Sequence, residues 1–244
     1  MKMKKLLNIK NLYSAAMLFF AFTILLKAQY KDGDLVKGSG DKIYLIEDGK
    51  ACWVSSSDIF DALGLDWKKV KPVADYQLRN MPKGYIIVKG YDKPVYVLYY
   101  GIACEVTDLN TLALLGFDRK DIKRIPNSRL RKIPIEPILV KGNDDPVYAI
   151  VNGKACWIQS EDAFYALGYN MERIIKVSDN TLRRIPKAPL LLQGSDQKIY
   201  VVEKTKRHWI KTPAIFNRMG YDWDTILHVD NRNLKRIPEG KPIR

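Results

Sequence analysis

Between residues 137 and 188 the spacing of the apolar positions changes along the chain. "PILVKG" is a short apolar run that ends at a Gly/Asp turn, and "PVYAIV" is a second run. Asn152-Gly153 follows, a two-residue hairpin signal because both residues tolerate positive φ. "KACWI" then reads as a third strand, with Cys156 and Ile158 on one face and Trp157 on the other. In "EDAFYAL" Phe164 and Leu167 stand three apart, which is helical spacing. Ser160 is placed to cap that helix, Glu161 and Asp162 suit its first turn, and Gly168 suits a left-handed stop. Ile174 and Val177 predict a short extended piece. Asp179 then reads as the cap of a single helical turn, "NTLRRI", ended by Pro186. The predicted unit is β-β-β-α plus a short turn.

The unit recurs every 52 residues without a gap. Gly64, Gly116, Gly168 and Gly220 keep the step, as do Tyr44, Tyr96, Tyr148 and Tyr200, and Pro82, Pro134, Pro186 and Pro238. Ser56, Asp108 and Thr212 repeat the first cap, and Asp75, Asn127 and Asn231 repeat the second. The copies are 33–84, 85–136, 137–188 and 189–240, with a linker at 29–32 and a tail at 241–244. One copy has little core of its own, so neighbours must share apolar surface. The expected fold class is α+β, four tandem β-β-β-α repeats packed as an open curved array, with a closed four-fold pseudosymmetric ring as the alternative.

The stretch "VYAIVNGKACWI…FYALGYNMERIIKVSDNTLRRIP" resembles short tandem repeats of exported bacterial surface proteins, sometimes found beside cell-wall-acting domains. The resemblance covers residues 33–240. It implies surface or envelope association and no defined activity. The chain departs from that pattern in carrying cysteine where basic residues are frequent.

The N-terminus changes the picture of where the protein works. Lys2, Lys4, Lys5 and Lys10 precede an apolar stretch at residues 13–26. That stretch is short for a membrane span, which takes roughly 20 residues, and it fits a secretory signal peptide of residues 1–28. A retained anchor is the alternative. Residues 1–28 carry five lysines and no acid, so removing them leaves +9 of the formal +14. No later segment is long and apolar enough to span a bilayer. A periplasmic or extracellular location makes nucleic acid an unsuitable partner despite the basic charge. Anionic glycans, lipid headgroups and acidic proteins remain.

Candidate chemistry follows the same step. Cys52, Cys104, Cys156 and His208 form one series. Cys₃His is a valid zinc set, but its ligands would converge only in a ring, and the close C-x₂-C pairs of zinc modules are missing. The favoured reading is small buried core residues, so no cofactor is expected, with an inter-copy disulfide and zinc as alternatives. Trp53, Trp157 and Trp209 share one position, held by Glu105 in copy two. They read as stacking platforms for sugar rings, or as packing between copies. Arg79, Arg131/Lys132, Arg183/Arg184 and Lys235/Arg236 form a basic stripe suited to carboxylates or phosphates, or a solvated face. Asp66, Asp118 and Asp222 read as caps, and Asp92, Asp144 and Asp196 as turn residues. No nucleophile, zinc-protease or phosphate-loop motif occurs. The expected function is non-catalytic binding of envelope or extracellular polysaccharide, peptidoglycan included. The alternative is a scaffold that docks another exported protein.

Overall fold

The computed structural model describes residues 30–91, 94–144 and 146–244. The signal-peptide reading of residues 1–28 and the turn reading of Asp92 fall outside them. Contacts divide the chain into two compact units. One runs to Ile86 and takes in Leu98–Gly101 and Ser128–Ile133; the other holds Ile87–Val97, Ile102–Asn127 and Pro134–Arg244.

Each copy builds one mixed sheet. In copy three, Ile138–Lys141, Val147–Val151 and Lys154–Ile158 pair antiparallel in chain order. Ile174–Lys176 then joins parallel to the first strand, and Lys187–Ala188 parallel to the third. Copies one and two repeat this five-strand order. Copy four keeps four strands, and bridges Arg207 to Glu239 and Ile210 to Ile243 stand where the fifth would be. The fold is α+β: four tandem sheet-and-helix repeats, with no sheet closed into a barrel.

The predicted turns and caps take these positions for stated reasons. Asn152 and Gly153 have φ of 45° and 70°, the left-handed pair that a two-residue hairpin requires. Ser56, Asp108, Ser160 and Thr212 each accept the backbone N–H three residues on, at 3.2, 2.8, 3.2 and 3.2 Å. They start the helices Ser57–Ala62, Leu109–Leu114, Glu161–Ala166 and Pro213–Arg218. Gly168 ends the third of these at φ 73°. Asp66, Asp118, Asn170 and Asp222 cap four short 3₁₀ turns, each accepting an N–H two residues on.

The second cap differs from expectation. Asp75, Asp179 and Asn231 are the first helical residues, not the caps; Ala74, Ser178 and Asp230 precede them. The side chains of Asp75, Asn127 and Asp179 serve another purpose. Asp75 accepts the N–H of Ser39 at 2.8 Å, Asn127 that of Tyr91 at 3.0 Å, and Asp179 that of Asn143 at 2.8 Å. A short polar side chain at this position ties the helix to the turn after the first strand, 36 residues earlier. That tie is tertiary, so a local capping pattern could not reveal it.

Each sheet presents two apolar faces, one per helix. In copy one Val36, Ile46 and Ala51 pack with Leu78 and Met81 of the second helix. In copy four Leu191, Val201 and Ile210 pack with Phe216 of the first helix. Within the larger unit one buried cluster joins consecutive copies. Leu139, Cys156 and Phe164 of copy three meet Leu192, Tyr200, Val202 and Leu234 of copy four. The first helix of one copy is thereby covered by the next, which is how a 52-residue unit obtains a full core. Phe164 is buried there, and its truncation to alanine costs about 3–5 kcal/mol.

Hairpin turns fix the register between copies. The N–H of Lys204 donates to Gln159 Oε1 of copy three at 2.7 Å. In the smaller unit the N–H of Gly101 donates to Ser55 Oγ at 2.8 Å. Ser55 and Gln159 occupy one repeat position. Asp32 accepts the N–H of Asp48 at 2.8 Å, so a residue ahead of copy one serves the first turn in the same way.

Candidate ligand-binding clefts

The Cys/His series occupies the middle of the third strand, facing the buried side. Cys52, Cys104 and Cys156 are 2%, 0% and 0% exposed. The Cys52 thiol donates to the carbonyl of Tyr85 and the Cys104 thiol to that of Pro137, each at 3.7 Å. His208 Nδ1–H donates to the carbonyl of Lys241 at 2.8 Å. All three acceptors lie 33 residues on, so histidine takes over the thiols' task in copy four. Cys156 differs, with the carbonyl of Lys154 at 4.0 Å. Gly84 makes room for the sulfur, since a Cβ there would stand 2.7 Å from Cys52 Sγ, and Gly240 lies against the His208 ring. Desolvation pushes Cys104 and Cys156 up to about 12. Among the described residues no group of three or more His, Cys, Asp or Glu is placed to hold a metal ion.

A shallow cleft recurs in copies two, three and four. Its volumes are about 310, 510 and 360 Å³. Each cleft lies where the second strand begins, the third ends and the first helix starts. Its apolar floor is Val95 and Val106 in copy two, Val147 and Ile158 in copy three, and Ile199 and Ile210 in copy four. The helix caps Asp108, Ser160 and Thr212 stand at its rim. The opposite wall is Arg119, Met171 or Trp223, again 52 apart.

Two tryptophan positions converge here, and the strand alternation exposed only one of them. Trp157 lines the cleft of copy three and is 44% exposed. Trp209 lines that of copy four, half-buried, with the Lys198 ammonium 5.4 Å from its ring centre. Trp223 faces the same cleft at 45% exposure. It stacks on Phe216 at 4.0 Å and donates Nε1–H to Asn217 Oδ1 at 2.9 Å, which holds the indole in one orientation. Trp67 repeats the stack on Phe60 at 4.0 Å and is 58% exposed. The signal was present in "LDWKKV" and "YDWDTI", where Trp67 and Trp223 share one register. Trp53 packs edge-on against Tyr100 at 4.8 Å, with Lys42 at 4.4 Å over its ring. It therefore belongs partly to the packing between copies.

The basic residues lie elsewhere. Arg79, Arg131, Lys132, Arg183, Arg184, Lys235 and Arg236 are exposed at the ends of the second helices, and none lines the three clefts. The cleft-lining cations are different ones: Lys89, Arg119 and Arg124 in copy two, Lys141 in copy three, and Lys198 and Lys211 in copy four. Asp108 is the acid at the copy-two rim. Burial works to raise its carboxyl, but hydrogen bonds from Thr111 and Asn110 outweigh this and hold it below the usual range. No helix among the described residues is long and apolar enough to cross a membrane.

No protein family and no curated protein matches the chain. Among solved structures it is similar to an intact ESX-5 inner membrane complex, at 8% identity over 98% of this chain and 86% of that chain, TM-score 0.20. It is likewise similar to the periplasmic assembly from the ESX-5 inner membrane complex, at 8% identity over 87% of this chain and 92% of that chain, TM-score 0.20. A likeness at that score leaves the reading of this chain to its own repeated clefts.

Proposed function

We propose that this is an exported, non-catalytic repeat protein that binds envelope or extracellular polysaccharide, peptidoglycan included. The observation that carries the reading is the recurrent cleft, walled in copies three and four by exposed aromatic or thioether side chains. Trp223, held flat against Phe216, and Trp157, open to solvent, offer preformed apolar faces. Sugar rings have apolar C–H faces and polar edges. A shallow apolar floor with Gln193, Gln197 and Lys198 at its edge suits both. Repetition adds avidity, because one polymer can reach several weak sites and binding to the second becomes intramolecular.

The reading is tested by co-sedimentation of residues 29–244 with insoluble peptidoglycan and a panel of polysaccharides at low and high salt. Binding to a glycan that survives high salt supports it. Binding to every acidic polymer that vanishes in salt overturns it in favour of surface charge alone. Absence of binding to every polymer overturns it in favour of a scaffold for another exported protein.

A further inference from the structure

In copy two both aromatic positions of the unit have changed. Glu105 stands where the others have Trp53, Trp157 and Trp209, and Arg119 where they have Trp67, Met171 and Trp223. At a third position copies two and three carry a cation, Arg124 and Lys176, where copies one and four have Pro72 and His228. Arg119, Arg124 and Lys89 surround one cleft of about 310 Å³ over Val95, Val106 and Ile122. Arg119 and Arg124 are exposed, and Lys89 is half-buried.

Among the described residues the acids nearby offset only part of this charge. Glu105 is not among its lining residues. Asp108 is, and its carboxylate, which accepts the Thr111 N–H on Oδ1 at 2.8 Å and the Thr111 hydroxyl on Oδ2 at 2.6 Å, offsets one of the three positive charges and leaves an excess of two. Three cations over an apolar floor form a place for a small ring bearing an anionic group. Guanidinium forks match the two oxygens of a carboxylate or phosphate.

We infer that the copy-two cleft is an anion-reading subsite, and that the polymer bound is an acidic glycan carrying carboxylate or phosphate groups. The inference rests on the polysaccharide reading and names the class of polymer. Copies three and four supply faces for rings through Trp157, Met171, Trp209 and Trp223. Copy two selects for charge.

The test separates the two claims. Backbone N–H chemical shifts of the mature protein are followed during titration with glucuronate, with glycerol phosphate and with neutral glucose. The same titrations are run on Arg119→Met/Arg124→Gln. Arg119→Met alone serves if the double variant does not fold, since methionine is the copy-three residue. Saturable shifts confined to the copy-two cleft, for an acid and not for glucose, are the expected result, with affinity reduced at least about tenfold in the variant. The acid that binds distinguishes a uronate-type from a phosphate-type polymer. Shifts spread over the helix-end arginines, or unchanged in the variant, overturn the inference. In co-sedimentation the variant should lose an acidic polymer and keep a neutral one. Loss of both, or retention of both, also overturns it. If acids titrate the cleft while no polymer sediments, the polysaccharide reading fails and the anion subsite stands.

Discussion

At the residue scale the repeat tolerates substitutions that a single structural role explains. The thiols of Cys52 and Cys104 and the imidazole of His208 all donate to the carbonyl 33 residues on. In copies one, two and four the 52-residue step therefore records a hydrogen bond to the residue just past the end of the copy, which Cys156 of copy three does not make. Sequence alone made the burial of the cysteines readable through alternation with Val54 and Ile158. It could not show the carbonyl, which the fold brings alongside. Cys104 and Cys156 titrate at about 12 against an ordinary 9.0 because burial disfavours the thiolate. Below pH 9 both folded and unfolded chains hold these protons, and the contribution to stability is fully present. Between pH 9 and 12 only the unfolded chain releases them, so stability falls as pH rises. Urea midpoints measured at pH 8 and pH 10.5 should separate more for the native protein than for Cys104→Ala/Cys156→Ala. The native thiols should also stay unmodified by iodoacetamide at pH 8 until the chain is unfolded. Thr205 offers a second test. A β-branched residue at φ 71° in a hairpin turn is strained, where copies one to three have glycine. Thr205→Gly should raise stability by about 1 kcal/mol, read from thermal melts.

At the element scale, the three antiparallel strands and the first helices followed from local pattern, because apolar alternation, the Asn152-Gly153 turn and the Ser160 cap are all short-range; the two-residue strand Lys187–Ala188 did not, since it exists only through its parallel pairing with Lys154–Ile158. The second helix was legible in place but not in its start. Asp179 serves the turn at Asn143, and that partner is 36 residues away. The join between copies was equally hidden. Nothing in the residue Gln159 announces that it receives the N–H of Lys204. Gln159→Ala leaves that N–H without its protein partner at the join between copies three and four. The expected cost is about 1 kcal/mol in urea denaturation. An unchanged midpoint would mean that water replaces the bond without loss.

At the scale of the whole chain, a common architecture carries different surfaces. The four units share four strands, caps and turns, while the cleft walls of copies two to four vary from Arg119 through Met171 to Trp223. On the polysaccharide proposal, a constant frame with one wall position changed per unit would present a different face to successive stretches of an extended ligand. Of the tryptophans singled out by strand alternation, Trp157 and Trp209 are part of that surface, while Trp53 packs against Tyr100. Their partners in the 3₁₀ turns were missed because only two of four copies keep tryptophan there. The basic helix ends are exposed but stand apart from the clefts, so they set overall charge and long-range attraction.

The most direct test is co-sedimentation in high salt of the native protein beside Trp157→Ala/Trp209→Ala/Trp223→Ala, with circular dichroism to confirm that both are folded. The account predicts that the native protein holds a glycan under these conditions and that the folded variant loses at least about tenfold in affinity, from about 1 kcal/mol or more per removed stacking face. A folded variant that binds as well as the native protein would contradict it, as would a variant that cannot fold, since the tryptophans would then be core and not platform.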